Sequence, residues 1–360
     1  MNIDKPENQR TRRRKATLSD IAEAVGVATM TVSRVVSGDG YVSENTRKKV
    51  LKAVKDLNYR RNGLARSLKR QFTETVGLVL GDISNPYSTE LARAVRETLL
   101  NQGFNLFICI SEYGAKEDII AFESLANHSV DGIIVATRSN EAGDRYLRGL
   151  VETNVPLVMI GRNFQHKNID VVSPDNLKGG FDATQHLIDL GHKRIAFIGA
   201  NLSSGSHLKR LQGYLKALEY HSIAIDERLI TGRSEDVPEV TGYSTEEIGF
   251  EGMKRLLSLP DPPTSVFARN DFTAIGAMRA INDAGLRIPD DIAIVGFDDV
   301  PLAARMSPSL TTVRQPMRAE GQIAAEMLLE RIAGGTNISR RERILECELI
   351  VRESSGLKRR

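Results

Sequence analysis

No stretch of this 360-residue chain is apolar for long enough to cross a membrane, and its basic N-terminus lacks the apolar core of an export signal. Only two cysteines occur, Cys109 and Cys347, with neither a pairing nor a metal-ligand spacing; they argue for reduced thiols and a cytoplasmic protein. The six histidines are scattered, which argues against a metal site. The motifs GxxxxGKS/T, HExxH, GxSxG and CxxC are all absent, so phosphate-cradling, zinc-hydrolase, nucleophile-elbow and dithiol chemistry find no support. No cofactor is expected, and an enzyme reading has no nucleophile, metal or phosphate motif to rest on.

What the chain does have is an uneven charge. Residues 1–71 hold 17 Lys and Arg against 7 Asp and Glu, a net of +10, whereas the whole chain carries only +3. A cationic head therefore precedes an anionic body of −7. Positive charge clustered on a small module is the footprint of phosphate contacts. The run Arg10, Arg12, Arg13, Arg14, Lys15 reads as a disordered arm over residues 1–15, adding non-specific affinity or simply solvated.

Within the head, Thr17 to Gly38 (TLSDIAEAVGVATMTVSRVVSG) reads as two short helices around a tight turn. Thr17 suits an N-cap, and Asp20 three residues later can reach back to it. Leu18, Ile21, Ala22 and Val25 repeat at helical spacing. Gly26 ends that helix with the residue type that tolerates a left-handed cap. In the second helix Val32, Val35 and Val36 face the first. The outward residues are Thr29, Met30, Thr31, Ser33 and Arg34. The N-terminal residues of a recognition helix read base edges: a hydroxyl and an apolar surface for thymine at 29–30, and a guanidinium for guanine at 34. A third helix follows Ser43, with Val50, Val54 and Leu57 as its buried stripe and Arg47, Lys48, Lys49, Lys52 and Lys55 around it. The next segment, NYRRNGLARSLKR (58–70), is short, basic and poor in apolar anchors, a helix that would form only when docked.

TLSDIAEAVGV, TVSRVVSG, VSENTRKKVLKAVKDLNY and the N-x-LARSL of the hinge resemble the head of the lac repressor (LacI/GalR) family of bacterial transcriptional regulators, and the resemblance continues to about residue 355. It implies DNA contacts from Tyr59, Asn62, Ala65 and Leu68, with Leu68 wedging a central base step in the minor groove. Two departures stand out. Ala28 replaces the serine that many relatives place before the recognition helix, which removes a cap. Arg61 replaces a proline that stiffens the lead-in to the hinge. The domains expected are a helix-turn-helix head over 16–60, a hinge over 61–73, a body over 74–355 and a tail over 356–360.

The body alternates strand-like apolar runs (75–81, 104–110, 131–137, 156–161, then 194–199, 265–268, 291–299) with amphipathic helices. That pattern argues for two doubly wound parallel α/β lobes. The fold class is thus an all-α helix-turn-helix headpiece on an α/β, periplasmic-binding-protein-like body. Lobe 1 is expected over about 74–173 plus a crossover near 300–335, and lobe 2 over about 174–300 plus the C-terminal strands. A periplasmic receptor would need an export signal and would not carry the +10 head.

Ligands in such folds sit beyond the carboxyl ends of the strands. This selects Asp82, Asn85 and Tyr87; Arg162 and Asn163; the Ser203-Ser204 loop and Arg210; Asn270 and Asp271; Asp298 and Asp299, with Tyr87 or Phe164 for stacking. Carboxylates, amides and arginines around one cleft suit a polyhydroxylated ligand. Asp271 reads more simply as a helix cap and Asp299 as structural. Gly179-Gly180 has no functional account. The resemblance implies effector contacts from Arg210, Asn270 and Asp298. Asn85, Tyr87 and Arg162 complete the candidate effector set, and Arg162 with Arg210 tilts the expectation toward an acidic sugar or sugar phosphate.

The reading is a repressor of carbohydrate-utilisation genes whose operator affinity is set by a sugar or sugar acid held between the lobes. Purine-responsive relatives use a corepressor instead. The partners expected are near-palindromic double-stranded DNA, the effector and a second copy of the chain, with no membrane. The ending SSGLKRR lacks apolar heptads, which favours a dimer over a tetramer.

Overall fold

Short-range rules suffice to build the head. In a computed structural model describing residues 16–38, 40–59, 72–112, 114–137, 141–162, 164–199, 205–232, 245–334 and 338–356, the chain divides into two units, 1–71 and 72–360. The basic arm and the hinge residues Asn62, Ala65 and Leu68 lie outside the described residues, as do Asn163 and the Ser203-Ser204 loop.

Helix α1 (Leu18–Val25) starts in a capping box. Thr17 Oγ1 accepts from the Asp20 amide at 3.3 Å, and Asp20 Oδ2 accepts from the Thr17 amide at 2.7 Å. Gly26, at φ 71°, turns the chain toward α2 (Thr29–Ser37), whose cap residue Ala28 makes no side-chain bond. Helix α3 (Glu44–Asp56) is capped by Ser43. Ile21, Ala22, Val32, Val35 and Val50 form the core of the head. Leu57 does not join it: it follows the last turn of α3 and is 40% exposed. The Tyr59 amide bonds back to the Val54 carbonyl, and its side chain fills that flank instead.

In the body, β1 (Thr75–Leu80), β2 (Asn105–Ile110), β3 (Gly132–Ala136), β4 (Leu157–Ile160) and β5 (Ile169–Pro174) alternate with α4 (Pro86–Asn101), α5 (Ala115–Asn127) and α6 (Glu141–Glu152). The chain then crosses into α7 (Asn176–Asp189), β6 (Ile195–Ile198), α8 (Gly205–Tyr220), β7 (Ile230–Thr231), α9 (Thr245–Leu257), β8 (Ser265–Ala268), α10 (Asp271–Asp283), β9 (Ala293–Asp298) and β10 (Thr311–Arg314). It returns for α11 (Met317–Gly334) and β11 (Glu342–Leu345), and crosses again to β12 (Glu348–Ile350). Two six-stranded sheets result, ordered β11-β5-β4-β3-β1-β2 and β12-β10-β9-β8-β6-β7, parallel except for the β10–β12 pair.

Lobe boundaries differ from the expected ones in two places. The 300–335 segment is divided, because β10 is an inner strand of sheet 2 and only α11 packs on lobe 1. Of the C-terminal strands, β11 belongs to lobe 1. The cause is Asp170, which also hid β5 by interrupting its apolar run. This fully buried carboxylate takes Nε and Nη2 of Arg331 from α11 at 2.8 and 2.6 Å, and the Arg341 amide just before β11 at 2.8 Å. One buried anion thus pins a helix and a strand to the edge of sheet 1. Burial pushes its pKa up, but hydrogen bonds from Arg331 and Arg341 outweigh that and hold it below the usual carboxylate range.

Gly180 and Gly213 account for a close helix crossing. A Cβ on Gly180 would lie 2.4 Å from the Arg210 carbonyl, and one on Gly213 would lie 2.2 Å from that of Leu177. Helices α7 and α8 therefore touch backbone to backbone, and Arg210 sits at that contact.

Asp170→Ala should destabilise the body by about 3–5 kcal/mol at pH 7, since it leaves two arginines facing a buried site. A depressed carboxylate contributes stability above its unfolded pKa and loses it as pH falls through the folded value. Urea unfolding of the two proteins should therefore converge on acidification.

Candidate DNA-reading face and ligand cleft

On the head, the capping box and Gly26 orient α2 so that Thr29, Met30 and Arg34 are exposed, Met30 at 64%. Thr31 and Ser33 are half-buried at the edge of that face. An exposed methionine beside a threonine and an arginine is costly to hydrate and offers apolar and hydrogen-bonding contact on one helix turn. Tyr59 is half-buried against the head core, so its body serves packing.

On the body, Asn85, Tyr87, Arg162, Arg210, Asn270 and Asp298 all line one cleft of about 110 Å³. That is several times what a single water needs, so the cleft admits a small organic ligand. Each residue lies at or beyond the carboxyl end of a strand or on the helix that follows. Lobe 1 supplies Asn85, Tyr87 and Arg162; lobe 2 supplies the other three. Asp82 instead forms a local turn, accepting from the Ser84 amide at 2.7 Å. Phe164 is 2% exposed, packed in the lobe 1 core with Arg148 and Arg162 over its ring at 4.8 and 5.8 Å, and does not line the cleft.

Arg210 is the centre of the lobe 2 half. Its Nε donates to Asn176 Oδ1 at 2.8 Å and its Nη1 to the Arg269 carbonyl, and Nη1 forms an ion pair with Asp298 Oδ1 at 3.5 Å. Its guanidinium carbon lies 3.7 Å from the Phe297 ring centroid. Asp298 also accepts from Gln315 Nε2 at 2.5 Å. Burial pushes the Asp298 carboxyl up to about 6, against the pull of Arg210 and Gln315. Burial lowers Arg210, and Asp298 offsets part of the shift.

Asp298 and Asp299 adopt φ 120° and 57°, a region that favours glycine. Asp271 holds that turn. Its Oδ2 accepts from the Val300 amide at 2.8 Å and its Oδ1 from Thr312 Oγ1 at 2.5 Å. Asp271 was expected to cap α10, but Asn270 does so, accepting from the Thr273 amide at 2.9 Å. Asp271 is fully buried, and burial followed by the Asp298 charge raises its pKa well above the usual range. Asp299 is structural, bound by Arg314 and Arg352.

In lobe 1, Arg162 is 5% exposed and donates from Nη1 to Asp144 at 2.6 Å, while its buried Nε has no partner among the described residues. Arg162 and Arg210 are thus already paired with carboxylates, and Arg269, a third arginine of the cleft wall, donates from Nε to Thr273 Oγ1 at 3.2 Å. The tilt toward an acidic ligand rested on Arg162 and Arg210, and neither of these is a spare cation. Sequence reasoning also missed Asn176, Thr137, Arg269, Gln315 and Glu320. The first four lie beyond strand ends and were obscured because β5 and β10 went unrecognised or because several polar residues compete there. Glu320 sits mid-face on α11, where a glutamate looks solvent-facing. It is fully buried, accepting from Tyr87 Oη at 2.9 Å, and its Oε1 has no partner among the described residues. Burial pushes its carboxyl up to about 7, with Asp298 adding to the shift and Tyr87 and Arg210 opposing it.

Residues 17–62 match the model of bacterial regulatory proteins, lacI family, and residues 184–355 match the periplasmic binding protein-like domain. The chain is 35% identical over 340 residues to the HTH-type transcriptional repressor PurR of Mannheimia succiniciproducens, covering 94% of this chain and 98% of that one. A lac repressor dimer bound to operator and the anti-inducer ONPF is similar with a TM-score of 0.81 and 27% identity, over 96% of this chain and 100% of that one. A complex of the transcriptional regulator CelR with cellobiose is similar with a TM-score of 0.70 and 32% identity, over 94% and 99%.

A carboxyl whose folded pKa is raised binds its proton more tightly in the native state, so its contribution to stability falls as pH rises through the folded value. Glu320→Gln should therefore raise stability at pH 8 by about 2 kcal/mol and leave it nearly unchanged at pH 4. Denaturant unfolding at the two pH values measures the difference.

Proposed function

The chain belongs to the lacI family of bacterial regulatory proteins and is a DNA-binding transcriptional regulator rather than an enzyme; on that premise we propose that it represses carbohydrate-utilisation genes in the cytoplasm under control of a monosaccharide-sized effector. The observation that carries this is the convergence of Asn85, Tyr87, Arg162, Arg210, Asn270 and Asp298, drawn from both lobes, on one cleft. Sugar hydroxyls need both donors and acceptors when buried, and an arginine–carboxylate pair with flanking amides supplies both. The CelR complex with cellobiose supports a sugar as the ligand class.

Control follows from linkage. An effector changes DNA affinity only if it binds one arrangement of the body better than another. The lobes are joined by three crossings, at 174–176, 314–317 and 345–348, which together make a hinge. A ligand held by Arg162 and Tyr87 on one side and Arg210 and Asp298 on the other favours the closed arrangement. Closure then resets the spacing of two heads in a dimer, whose operator is near-palindromic.

The dimer is supported by β2, an edge strand with Phe107, Ile108 and Ile110 each more than 40% exposed and Leu100 and Ile120 nearby in sequence on its flanking helices. An apolar open edge invites a second copy. On α2, Thr29, Met30, Thr31, Ser33 and Arg34 are assigned to the major groove. Tyr59, Asn62, Ala65 and Leu68 are assigned to the backbone and minor groove.

A thermal-shift screen of D-ribose, D-glucose, D-galactose, cellobiose and hypoxanthine tests the effector. A sugar present at 100 times its dissociation constant should add about 2.7 kcal/mol, and a shift with hypoxanthine alone would replace the sugar reading by a purine one. Arg34→Ala should cost about 1–3 kcal/mol on operator DNA while leaving non-specific binding less affected. Equal losses on both DNAs would remove Arg34 from base reading.

A further inference from the structure

Tyr87 is one of the expected effector residues, but its partner Glu320 belongs to no expected site, and the geometry of the pair restricts what the cleft can recognise. A phenol both donates and accepts. Here its one proton is committed: Tyr87 Oη donates to Glu320 Oε2 at 2.9 Å. Tyr87 lines the cleft, and its oxygen lies 4.0 Å from where a Cβ on Gly161, another residue of the cleft wall, would stand, within the electrostatic reach of Arg210 and Asp298. What Tyr87 keeps for a ligand is therefore an acceptor lone pair. Glu320 is not itself part of the cleft wall. It is brought beside Tyr87 by a close α4–α11 contact, where a Cβ on Gly321 would lie 2.7 Å from the Leu91 carbonyl.

We propose that Glu320 is a specificity-determining positioning residue that acts through Tyr87, making the Tyr87 corner of the cleft an acceptor and anionic surface that selects neutral polyols and rejects acid sugars. This rests on the sugar reading above and narrows it. A ligand hydroxyl facing Tyr87 can donate, whereas a carboxylate or phosphate there meets lone pairs against lone pairs beside a buried carboxylate. The groups facing Glu320 are Tyr87 from α4, Arg210 from α8, Asp298 at the end of β9 and Cys347 between β11 and β12. The strands beneath α11 bring apolar Ile134, Ile160 and Val172. Of these, only Arg210 is cationic, and it is already held by Asp298 and Asn176.

Proton uptake reverses the polarity. A protonated Glu320 can donate to Tyr87 Oη and release the phenol proton toward the ligand. With its carboxyl pushed up to about 7, the exclusion of acids strengthens as pH rises through neutrality.

The test uses the full chain and three matched pairs: D-glucose and D-glucuronate, D-galactose and D-galacturonate, D-ribose and ribose 5-phosphate. Calorimetric titration is run at pH 6 and 8 on wild type, Glu320→Gln and Tyr87→Phe. In wild type the neutral member of the pair that binds should be favoured at least tenfold at pH 8, and the preference should shrink several-fold at pH 6. Glutamine donates or accepts equally, so Glu320→Gln should show the smaller preference at both pH values while still binding the neutral sugar. A merely structural glutamate would weaken both members alike and leave their ratio and its pH profile unchanged, which would overturn the proposal, as would tighter binding of the acid by wild type.

Carboxyl-carbon NMR of glutamate-labelled protein supplies a ligand-free arm. A resonance absent from Glu320→Gln should titrate near neutrality and move up in Tyr87→Phe, because the phenol bond favours the carboxylate. If no sugar binds but this shift occurs, the sugar reading fails and the Tyr87–Glu320 coupling stands. If Tyr87→Phe leaves the resonance unmoved, the proposal fails whatever binds.

Discussion

A guanidinium buried to 4% exposure is the constraint around which the body is arranged. Removing Arg210 from water is affordable only if nearly every face of it is met. Phe297 meets the plane, Asn176 meets Nε, and Asp298 with the Arg269 carbonyl meets Nη1. These partners come from three places in the chain: the start of α7, the residue after β8, and the last two residues of β9. Their agreement on one point needs α8 pressed onto α7, hence the glycines at 180 and 213, and a turn after β9 bent into positive φ, hence Asp271 behind it. Gly179 belongs to the same set, since a Cβ there would lie 2.9 Å from the Phe297 ring.

Lobe 1 faces this arrangement with groups left less complete. Arg162 Nε and Glu320 Oε1 are buried without partners among the described residues, whereas the polar atoms around Arg210 are largely engaged. Buried polar atoms are usually satisfied, and an exception at a cleft points to a ligand or to a rearrangement. Asp170 ties α11 and β11 to lobe 1 while β10 and β12, their neighbours in sequence, are paired within sheet 2, so the chain passes between the lobes on either side of that pair.

How far the sequence could be read depended on the range of the interactions. The Thr17–Asp20 box, the Gly26 turn and the apolar stripe through Ile21, Val32 and Val35 are local, and the head was legible almost whole. Leu57 was the exception, since helical spacing extended its stripe one residue past the real end of α3. Strands of sheet 1 and sheet 2 with unbroken apolar runs were legible too. Strand β5 was hidden by Asp170, and β10 (TTVR) by its threonines, whose burial depends on neighbours more than 40 residues away. All six effector candidates reached the cleft, because the rule that ligands sit beyond strand ends needs only the strand positions.

The sequence by itself determined the family, the helix-turn-helix, the two-lobed α/β class and the identity of the residues at the strand ends, since each follows from local patterning or from a motif held within a few tens of residues. Only the tertiary structure decided the charge state of the cleft. It paired Arg162 with Asp144 and Arg210 with Asp298, moved Asp271 from a helix cap to a buried brace, and turned Glu320 from an ordinary helix glutamate into the acceptor behind Tyr87. The reason is that desolvation and pairing are set by groups that meet in space after long chain excursions. Tyr87 and Glu320 are 233 residues apart in sequence, and no spacing rule relates them.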